Sequence, residues 1–381
     1  MKLILGVNAI KPPLTGIGRY TYELATRLYA QTPISSMRCF FEGRWIDDVN
    51  TLLRPAGAKQ VIRQRLLRSR LAVASYQAIA PHLISHRLKR FSDHVYHGPN
   101  FYLPQFPGKK IATIHDLSIY NFPQHHPPER VRFMEVEIDR TLSRADFLIT
   151  DSEYVRAELI KQFNWNPAKV KAIPLGVTED YYPRTAAEVA PTMATYGLSF
   201  GSYTLCVSTI EPRKNLSTLL TSYARLSPRT KAACPLVLVG SKGWDSSSTY
   251  AQILRAQNEG WLKYLGYVSE CELPRIYAGA RAFVYPSIYE GFGLPVAEAM
   301  ASGLPVLTSN SSSLAEVSGS AGLSVDPMDD TRMAELLLKM IEDEPWRAGT
   351  KARLVDHAKN FNWSETVRLT EKVYEHVNSA M

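Results

Sequence analysis

Two carboxylates eight positions apart, Glu290 and Glu298, frame the stretch of this 381-residue chain whose residue types are best suited to chemistry. Gly291, Phe292, Gly293 and Leu294 follow the first carboxylate, and Pro295 sits in the first turn of a short helix predicted over 294–302, with Gly303 as its stop. A glycine-flanked helix start offers free backbone N–H groups and the positive end of the helix dipole, which together suit a phosphate. Carboxylates beside an anion site need hydroxyls to bind. A sugar nucleotide carries both, with a diphosphate for the amides and sugar and ribose hydroxyls for the acids.

Three other groups have the same character. Arg213 and Lys214, in the run Thr-Ile-Glu-Pro-Arg-Lys-Asn over 209–215, are adjacent cations at the end of an apolar stretch, which is what a leaving diphosphate requires. His115 and Asp116 close the apolar run 110–115, and residues at the carboxyl end of a parallel strand face the ligand crevice of an open α/β sheet. His115 is thus placed for chemistry, with Asp116 to orient it or to bind an acceptor. His97 has a similar placement without further support. Near the start, Pro-Leu-Thr-Gly-Ile-Gly-Arg-Tyr over 13–20 is a glycine loop between a strand and an amphipathic helix. Gly16 and Gly18 are candidates for close backbone approach to a diphosphate, although the third glycine of the dinucleotide fingerprint is missing.

The elements that must position these groups read as a parallel α/β series. Apolar runs at 2–9, 37–41, 94–97, 110–115, 145–152 and 169–174 give way to prolines, a tyrosine pair and small residues over 178–201, which read as a linker. A second series at 203–208, 236–241, 264–268, 282–285, 304–308 and 323–326 follows, and then a helical pattern over 331–374. The units are thus 1–177 and 202–363.

Composition narrows the class. With 45% hydrophobic and 21% charged residues the chain is globular. It has no apolar run of 18 residues, and its first seven residues are too short for a signal peptide, so a cytoplasmic protein is expected. Cys39, Cys206, Cys234 and Cys271 lie far apart with no C-x-x-C pair and read as reduced structural residues. The net charge of +8 has one source: residues 50–92 hold nine basic residues and no acidic one, whereas elsewhere 35 basic residues face 36 acidic ones. Segment 54–90 carries Arg63, Arg65, Arg68 and Arg70 among Leu66, Leu67, Leu71, Val73 and Tyr76, at spacings that suit an amphipathic helix. It reads as a surface for anionic lipid, at roughly 1 kcal/mol per basic residue. No nucleic-acid recognition motif accompanies it.

The stretch P-S-x-Y-E-G-F-G-L-P-x-x-E-A-M-A-x-G-x-P-V resembles the E-x7-E signature of glycosyltransferase family 4, a retaining group with the GT-B fold. The glycines and prolines around the two acids carry the specificity. The resemblance implies two Rossmann-like parallel-sheet domains facing a central cleft, with the last helix, 364–381, crossing back onto the first. It also implies roles. Glu298 holds the ribose diol, Glu290 a donor-sugar hydroxyl, and the backbone from Gly291 to Leu294 the sugar and phosphate. Glu-Pro-Arg-Lys-Asn resembles the family's donor-phosphate segment, so Lys214 and Arg213 take the diphosphate; Ser208 stands where many relatives have a further arginine. His115 resembles the family histidine near the reaction centre. Gly-Tyr-Val-Ser over 266–269 resembles the segment near the nucleobase, where Tyr267 and Val268 offer backbone groups. Leu175 replaces a usual asparagine, and no polar role is carried there.

No D-x-D pair occurs, nor any H-E-x-x-H, P-loop or G-x-S-x-G motif. The resulting expectation is a metal-independent, retaining hexosyltransferase with no cofactor. Gly-Ile-Gly-Arg-Tyr, Glu-Pro-Arg-Lys-Asn and Pro-Ser-Ile-Tyr-Glu-Gly-Phe-Gly together resemble bacterial mannosyltransferases that use GDP-mannose to extend lipid-linked surface polysaccharide, including O-antigen. The expected partners are a nucleotide sugar, a lipid-linked saccharide and the inner face of the cytoplasmic membrane, without nucleic acid. GDP-rhamnose, UDP-glucose and UDP-N-acetylglucosamine are the alternative donors, and a sugar-nucleotide epimerase or a non-catalytic sensor the alternative functions.

Overall fold

In a computed structural model, residues 1–14, 16–31, 37–54, 83–244 and 246–379 are described. The basic positions Arg63, Arg65, Arg68 and Arg70 lie outside them. Short apolar strands alternate with helices to build two sheets. The first holds β1 (Leu3–Gly6), β2 (Met37–Phe41), β3 (Arg44–Ile46), β4 (Val95–Gly98), β5 (Lys109–Ile114), β6 (Phe147–Thr150) and β7 (Val170–Ala172) in the order β3-β2-β1-β4-β5-β6-β7. All its neighbours are parallel except β2 and β3, which form a hairpin turning through Glu42 and Gly43 at positive φ. The second holds β8 (Thr204–Val207), β9 (Leu236–Val239), β10 (Leu262–Gly266), β11 (Ala282–Tyr285), β12 (Val306–Ser309) and β13 (Leu323–Val325) in the order β10-β9-β8-β11-β12-β13, all parallel.

Strand order reverses between β1 and β4 in the first sheet and between β8 and β11 in the second. A doubly wound sheet opens its ligand crevice at such a reversal, beyond the carboxyl ends of the strands. The glycine loop follows β1, His115 follows β5, Arg213 and Lys214 follow β8, and Glu290 follows β11. The topology therefore gathers the sequence candidates at one level of the molecule.

The expected two-domain parallel architecture is present, and so is the crossing helix. Helix Trp363–Ser379 leaves the second domain and packs on helix Gly16–Gln31 and on β4. Trp363, Val367, Val373 and Tyr374 are all 2% exposed or less, and burying such a side chain contributes about 1.5–3 kcal/mol. The Tyr374 hydroxyl meets His97 Nδ1 at 2.7 Å, His97 Nε2 meets Thr113 Oγ1 at 2.9 Å, and that hydroxyl meets the Tyr20 OH at 3.0 Å. Burial, with His115 nearby, pushes the His97 pKa down to about 3, so His97 is a neutral tie between the crossing helix and the first sheet.

The linker expectation needs correction. Residues 178–201 contain helix Ala186–Tyr196, opened by a capping box between Thr185 and Glu188 and closed by Gly197 in the left-handed region. It buries Val189 and Met193 and packs on helix Leu273–Gly279. Pro191 lies inside this helix and masked its pattern. No helix among the described residues is long and apolar enough to cross a membrane.

Candidate active site

Glu290 is the most densely bonded residue of the cleft. Its Oε1 accepts from Lys214 Nζ at 2.5 Å, Ser287 Oγ at 2.5 Å and the Tyr285 OH at 3.1 Å, and its Oε2 lies 3.1 Å from Arg213 NH1. Arg213 also pairs with Glu211 at 3.0 Å and donates to the Tyr289 carbonyl. All four charged groups are buried. Burial works to raise the Glu290 pKa, but Arg213 and Lys214 overcome it and hold the carboxyl at about 2. Burial and then Arg213 press the Lys214 pKa down, while Glu290 supports its charge. The burial that disfavours the Arg213 charge is outweighed by Glu290, Asp116 and Glu211.

The loop that presents Glu290 is fixed from behind by serines. Ser309 Oγ donates to the Ser287 carbonyl at 2.6 Å, Ser311 Oγ to that of Ile288 at 2.8 Å, and Ser313 Oγ to that of Glu290 at 2.8 Å. Ser312 Oγ accepts from the Glu290 amide at 3.1 Å. Gly293 caps helix Leu294–Ala301 with φ +104°, and a Cβ there would lie 2.4 Å from Leu314 Cδ2. Position 293 therefore accepts glycine on both conformational and steric grounds. Phe292 is buried beneath the loop and Leu294 half-buried at the helix start.

Glu298, one turn into that helix, has a different environment. The Tyr277 OH donates to its Oε2 at 3.0 Å, and Tyr181 packs edge-on against Tyr277. Burial lifts the Glu298 pKa to about 7, against the pull of Tyr277 and Arg19. Arg19, from the glycine-loop helix of the first domain, donates to Glu270 of the second, just past Val268. Val268 is buried and Tyr267 exposed at the end of β10. Gly16 is exposed, with nothing among the described residues within 4 Å of where its Cβ would stand, and Gly18 is buried two residues on.

On the first domain, His115 Nδ1 lies 2.7 Å from Asp151 Oδ2 and its Nε2 lies 3.0 Å from the Pro99 carbonyl. A carbonyl only accepts, so Nε2 carries a proton, and a second proton lies between Nδ1 and Asp151. Burial opposes charge on His115, but Asp151 raises its pKa overall. The ring is therefore locked by protein on both nitrogens. What reaches the Glu290 loop is its backbone: a Cβ on Gly291 would lie 1.8 Å from the His115 carbonyl oxygen. Ser152 Oγ donates to the Gly291 carbonyl at 2.7 Å, and the Asp116 side chain accepts from Ser118 N and Oγ. The two domains are thus closed on each other, with Tyr289 of the second reaching Glu158 at 2.6 Å and the Leu117 amide at 3.1 Å.

Glu290, Lys214, Arg213 and Gly291–Leu294 form one cluster, with His115 and Asp116 across the closed cleft, and Glu298 and Val268 toward Arg19. Tyr285, Ser287, the serines after β12, and Asp151 escaped the sequence pattern. Of these, Ser287 lay inside the quoted stretch and Tyr285 directly before it, while Asp151 ended a recognised strand.

Two parallel-sheet domains with a buried cation pair and a glycine-flanked carboxylate on their facing ends define a two-domain glycosyltransferase. Residues 201–361 match the family described as Glycosyl transferases group 1, and the chain belongs to that family. The O-antigen chain mannosyltransferase B of Escherichia coli is 39% identical to it over 379 residues, covering 98% of this chain and 100% of that protein. Two solved structures share the fold. WaaG, a glycosyltransferase involved in lipopolysaccharide biosynthesis, matches with TM-score 0.72 at 16% identity over 99% of this chain and 100% of WaaG. Anabaena HepE, in complex with UDP and glucose, matches with TM-score 0.71 at 18% identity over 98% of this chain and 99% of HepE. The GT-B architecture expected from the E-x7-E stretch is the one observed.

Proposed function

We propose that the protein transfers mannose from GDP-mannose, with retention of configuration and without a metal ion, to a lipid-linked saccharide during O-antigen assembly. The observation that carries the reaction class is the convergence of Arg213, Lys214 and Glu290 on a serine-fixed loop at the carboxyl ends of β8 and β11. Full-length likeness to an O-antigen mannosyltransferase supports the sugar and the setting.

Each residue then has a chemical task. Arg213 and Lys214 neutralise Glu290. A diphosphate competes for the same two cations, so its binding releases the Glu290 oxygens to a donor-sugar hydroxyl. As the glycosidic C–O bond breaks, charge accumulates on the leaving diphosphate beside those cations, which is where preorganised charge lowers a barrier. The departing phosphate takes the acceptor proton on the same face, so no enzymic nucleophile is needed. Glu298 accepts from the ribose diol, and Gly291 to Leu294 and the Gly16–Gly18 loop approach the sugar and phosphate. Val268 and its neighbours face the base. His115 stays locked to Asp151 and supports the donor loop through its backbone, and Asp116 faces the acceptor.

Titration with GDP-, UDP- and ADP-sugars in EDTA, followed by thermal stabilisation, tests the donor. A melting-temperature rise with GDP-mannose is expected. A rise with UDP-glucose, UDP-N-acetylglucosamine or GDP-rhamnose instead would replace the substrate, and no rise with any would remove the cleft assignment. The basic segment fits a cytoplasmic enzyme peripheral to the inner face of the membrane. Replacing Arg63, Arg65, Arg68 and Arg70 together by Gln should release the protein from anionic vesicles at roughly 1 kcal/mol per charge, with activity on a soluble acceptor unchanged. Vesicle binding that survives would reject that placement.

A further inference from the structure

Beyond the Glu290 cluster, the cleft holds a second buried polar group that the mechanism leaves unused. His126 follows the turn Pro123–His125 of the first domain and is 7% exposed, and among the described residues neither of its ring nitrogens has a hydrogen-bond partner. Its ring lies against Trp244 of the second domain, with centroids 5.7 Å apart and planes tilted by 31°. Trp244 Nε1 donates to the neighbouring His125 carbonyl at 2.5 Å, and Arg130 covers the indole at 5.1 Å. Arg213 and Asp116 lie within electrostatic range of His126, and the Arg213 Nε is itself buried with no partner among the described residues. Two polar groups from opposite domains are therefore buried with unused hydrogen-bonding capacity on either side of the same cleft.

A native structure rarely leaves buried donors and acceptors unpaired unless something else pairs them. The chemistry of the missing partner follows from the charge state. Burial, with Arg130 and Arg213, pushes the His126 pKa down to about 4, so the imidazole is neutral and carries one N–H and one lone pair. That combination matches a hydroxyl, which also donates once and accepts. A phosphate oxygen, which only accepts, would take the N–H and leave the ring lone pair unpaired. The residue belongs to the first domain, opposite the Glu290 loop, and the Trp244 indole, covered by His126 and Arg130 in the closed cleft, is freed by opening as a flat apolar wall on which the C–H face of a hexose packs.

We propose that His126 is an acceptor contact: its ring hydrogen-bonds hydroxyls of the acceptor's terminal hexose, with Asp116 alongside and Trp244 closing over the sugar from the second domain. This deepens the glycosyl-transfer reading and rests on it. Trp244 and His126 are on different domains, so opening of the cleft uncovers the imidazole and closing it encloses what is bound there.

The test uses the full chain, an α-mannosyl disaccharide carrying an octyl aglycone, and whichever nucleotide sugar supports transfer by the wild type. His126→Ala is expected to raise the acceptor KM at least tenfold while the donor Kd stays within twofold, and His126→Gln, which keeps a donor and an acceptor, recovers part of the loss. Trp244→Ala is expected to raise the acceptor KM with the donor Kd again unmoved. An unchanged acceptor KM in His126→Ala overturns the proposal. So does a donor Kd that rises by the same factor, which would place the imidazole on the diphosphate. Calorimetric binding of the same disaccharide to the enzyme with GDP reads the contact without turnover: weaker binding in His126→Ala supports it, and equal binding overturns it. Failure of the wild type to bind any nucleotide sugar would instead strike the proposed function, and the two failures are separate.

Discussion

Glu290 and Glu298 are the same residue type, eight positions apart on one loop and helix, yet their surroundings drive them to opposite ends of the carboxylate range. Glu290 meets Arg213, Lys214 and Ser287 and is held at about 2; Glu298 meets Tyr277 and is lifted to about 7. The desolvation is similar in kind, so the neighbours decide the outcome. Glu290 is a permanent anion that keeps two buried cations in place. Glu298 exchanges its proton near neutrality, where a hydroxyl-rich ligand can meet it in either form. The lesson is that the two halves of the motif are not interchangeable, and each should fail in its own way.

The largest effect is expected at the cation pair. Lys214→Ala should lower kcat by at least a thousandfold, about 4 kcal/mol of transition-state stabilisation, while Glu290 keeps its partner Arg213 and the fold survives. Glu290→Ala should abolish activity as well, but it also leaves Lys214 buried without its carboxylate and Arg213 with Glu211 alone. Breaking such a cluster costs about 3–5 kcal/mol, so its melting temperature should drop well below that of Lys214→Ala. Turnover near wild type in either variant, or equal melting temperatures in the two, would break the comparison.

Glu298→Gln should weaken donor binding by roughly 10- to 100-fold, the loss of about 1.5–3 kcal/mol from a charged hydrogen bond to the ribose. Its stability behaves in the reverse sense to Glu290. A carboxyl whose folded pKa is about 7 against an ordinary 4.5 binds its proton more tightly in the folded chain. Stability is therefore lost as pH rises through that window, by up to about 3 kcal/mol. The variant should match wild type at pH 4.5 and melt higher at pH 8. For Glu290, held at about 2, the contribution is present above 4.5 and lost as pH falls below it. A Glu298→Gln variant with the wild-type pH slope would show that the two acids do not differ in the way their neighbours imply.

These distinctions were only partly legible in the sequence. The strand ends, the helix after Gly293 and the cation pair follow from apolar runs and turn residues, because those signals are local. The partners that set the charges come from strand pairing. The register Tyr285↔Thr308 places Pro286 beside Ser309, which is how the run Asn-Ser-Ser-Ser over 310–313, a plain loop in sequence, becomes the clamp on the Glu290 loop. The register Ile114↔Thr150 likewise places His115 beside Asp151, 36 residues on. The Thr185–Glu188 capping box was written in the sequence, but Pro191 and the small residues around it broke the periodicity that would have identified the helix. His126 offered no signal, since its meaning depends on Trp244, Arg213 and Asp116 arriving from elsewhere in the fold.

Asp151 is a further buried carboxylate of the cleft and gives the smallest expected effect. Unlike Glu290 it has one partner, and its Oδ1 is buried with none among the described residues. Asp151→Asn removes the charge that raises the His115 pKa while preserving the shape of the site. His115 should then titrate below its ordinary value, as burial alone would dictate, and its imidazole resonances should report the change directly. A histidine raised in the folded state stabilises fully below its unfolded pKa of about 6.5 and loses that contribution as pH rises through the folded value. Burial raises the Asp151 pKa in turn, so the stability gap between wild type and Asp151→Asn should be widest between the two titrations, closing toward alkaline pH as His115 loses its proton and toward acid pH as Asp151 gains one. Activity should fall by no more than about tenfold, because what His115 gives the donor loop is its backbone, and Ser152 still holds the Gly291 carbonyl. A loss as deep as that of Lys214→Ala would mean that the imidazolium itself meets the developing charge, making His115 a partner of the cation pair rather than its scaffold.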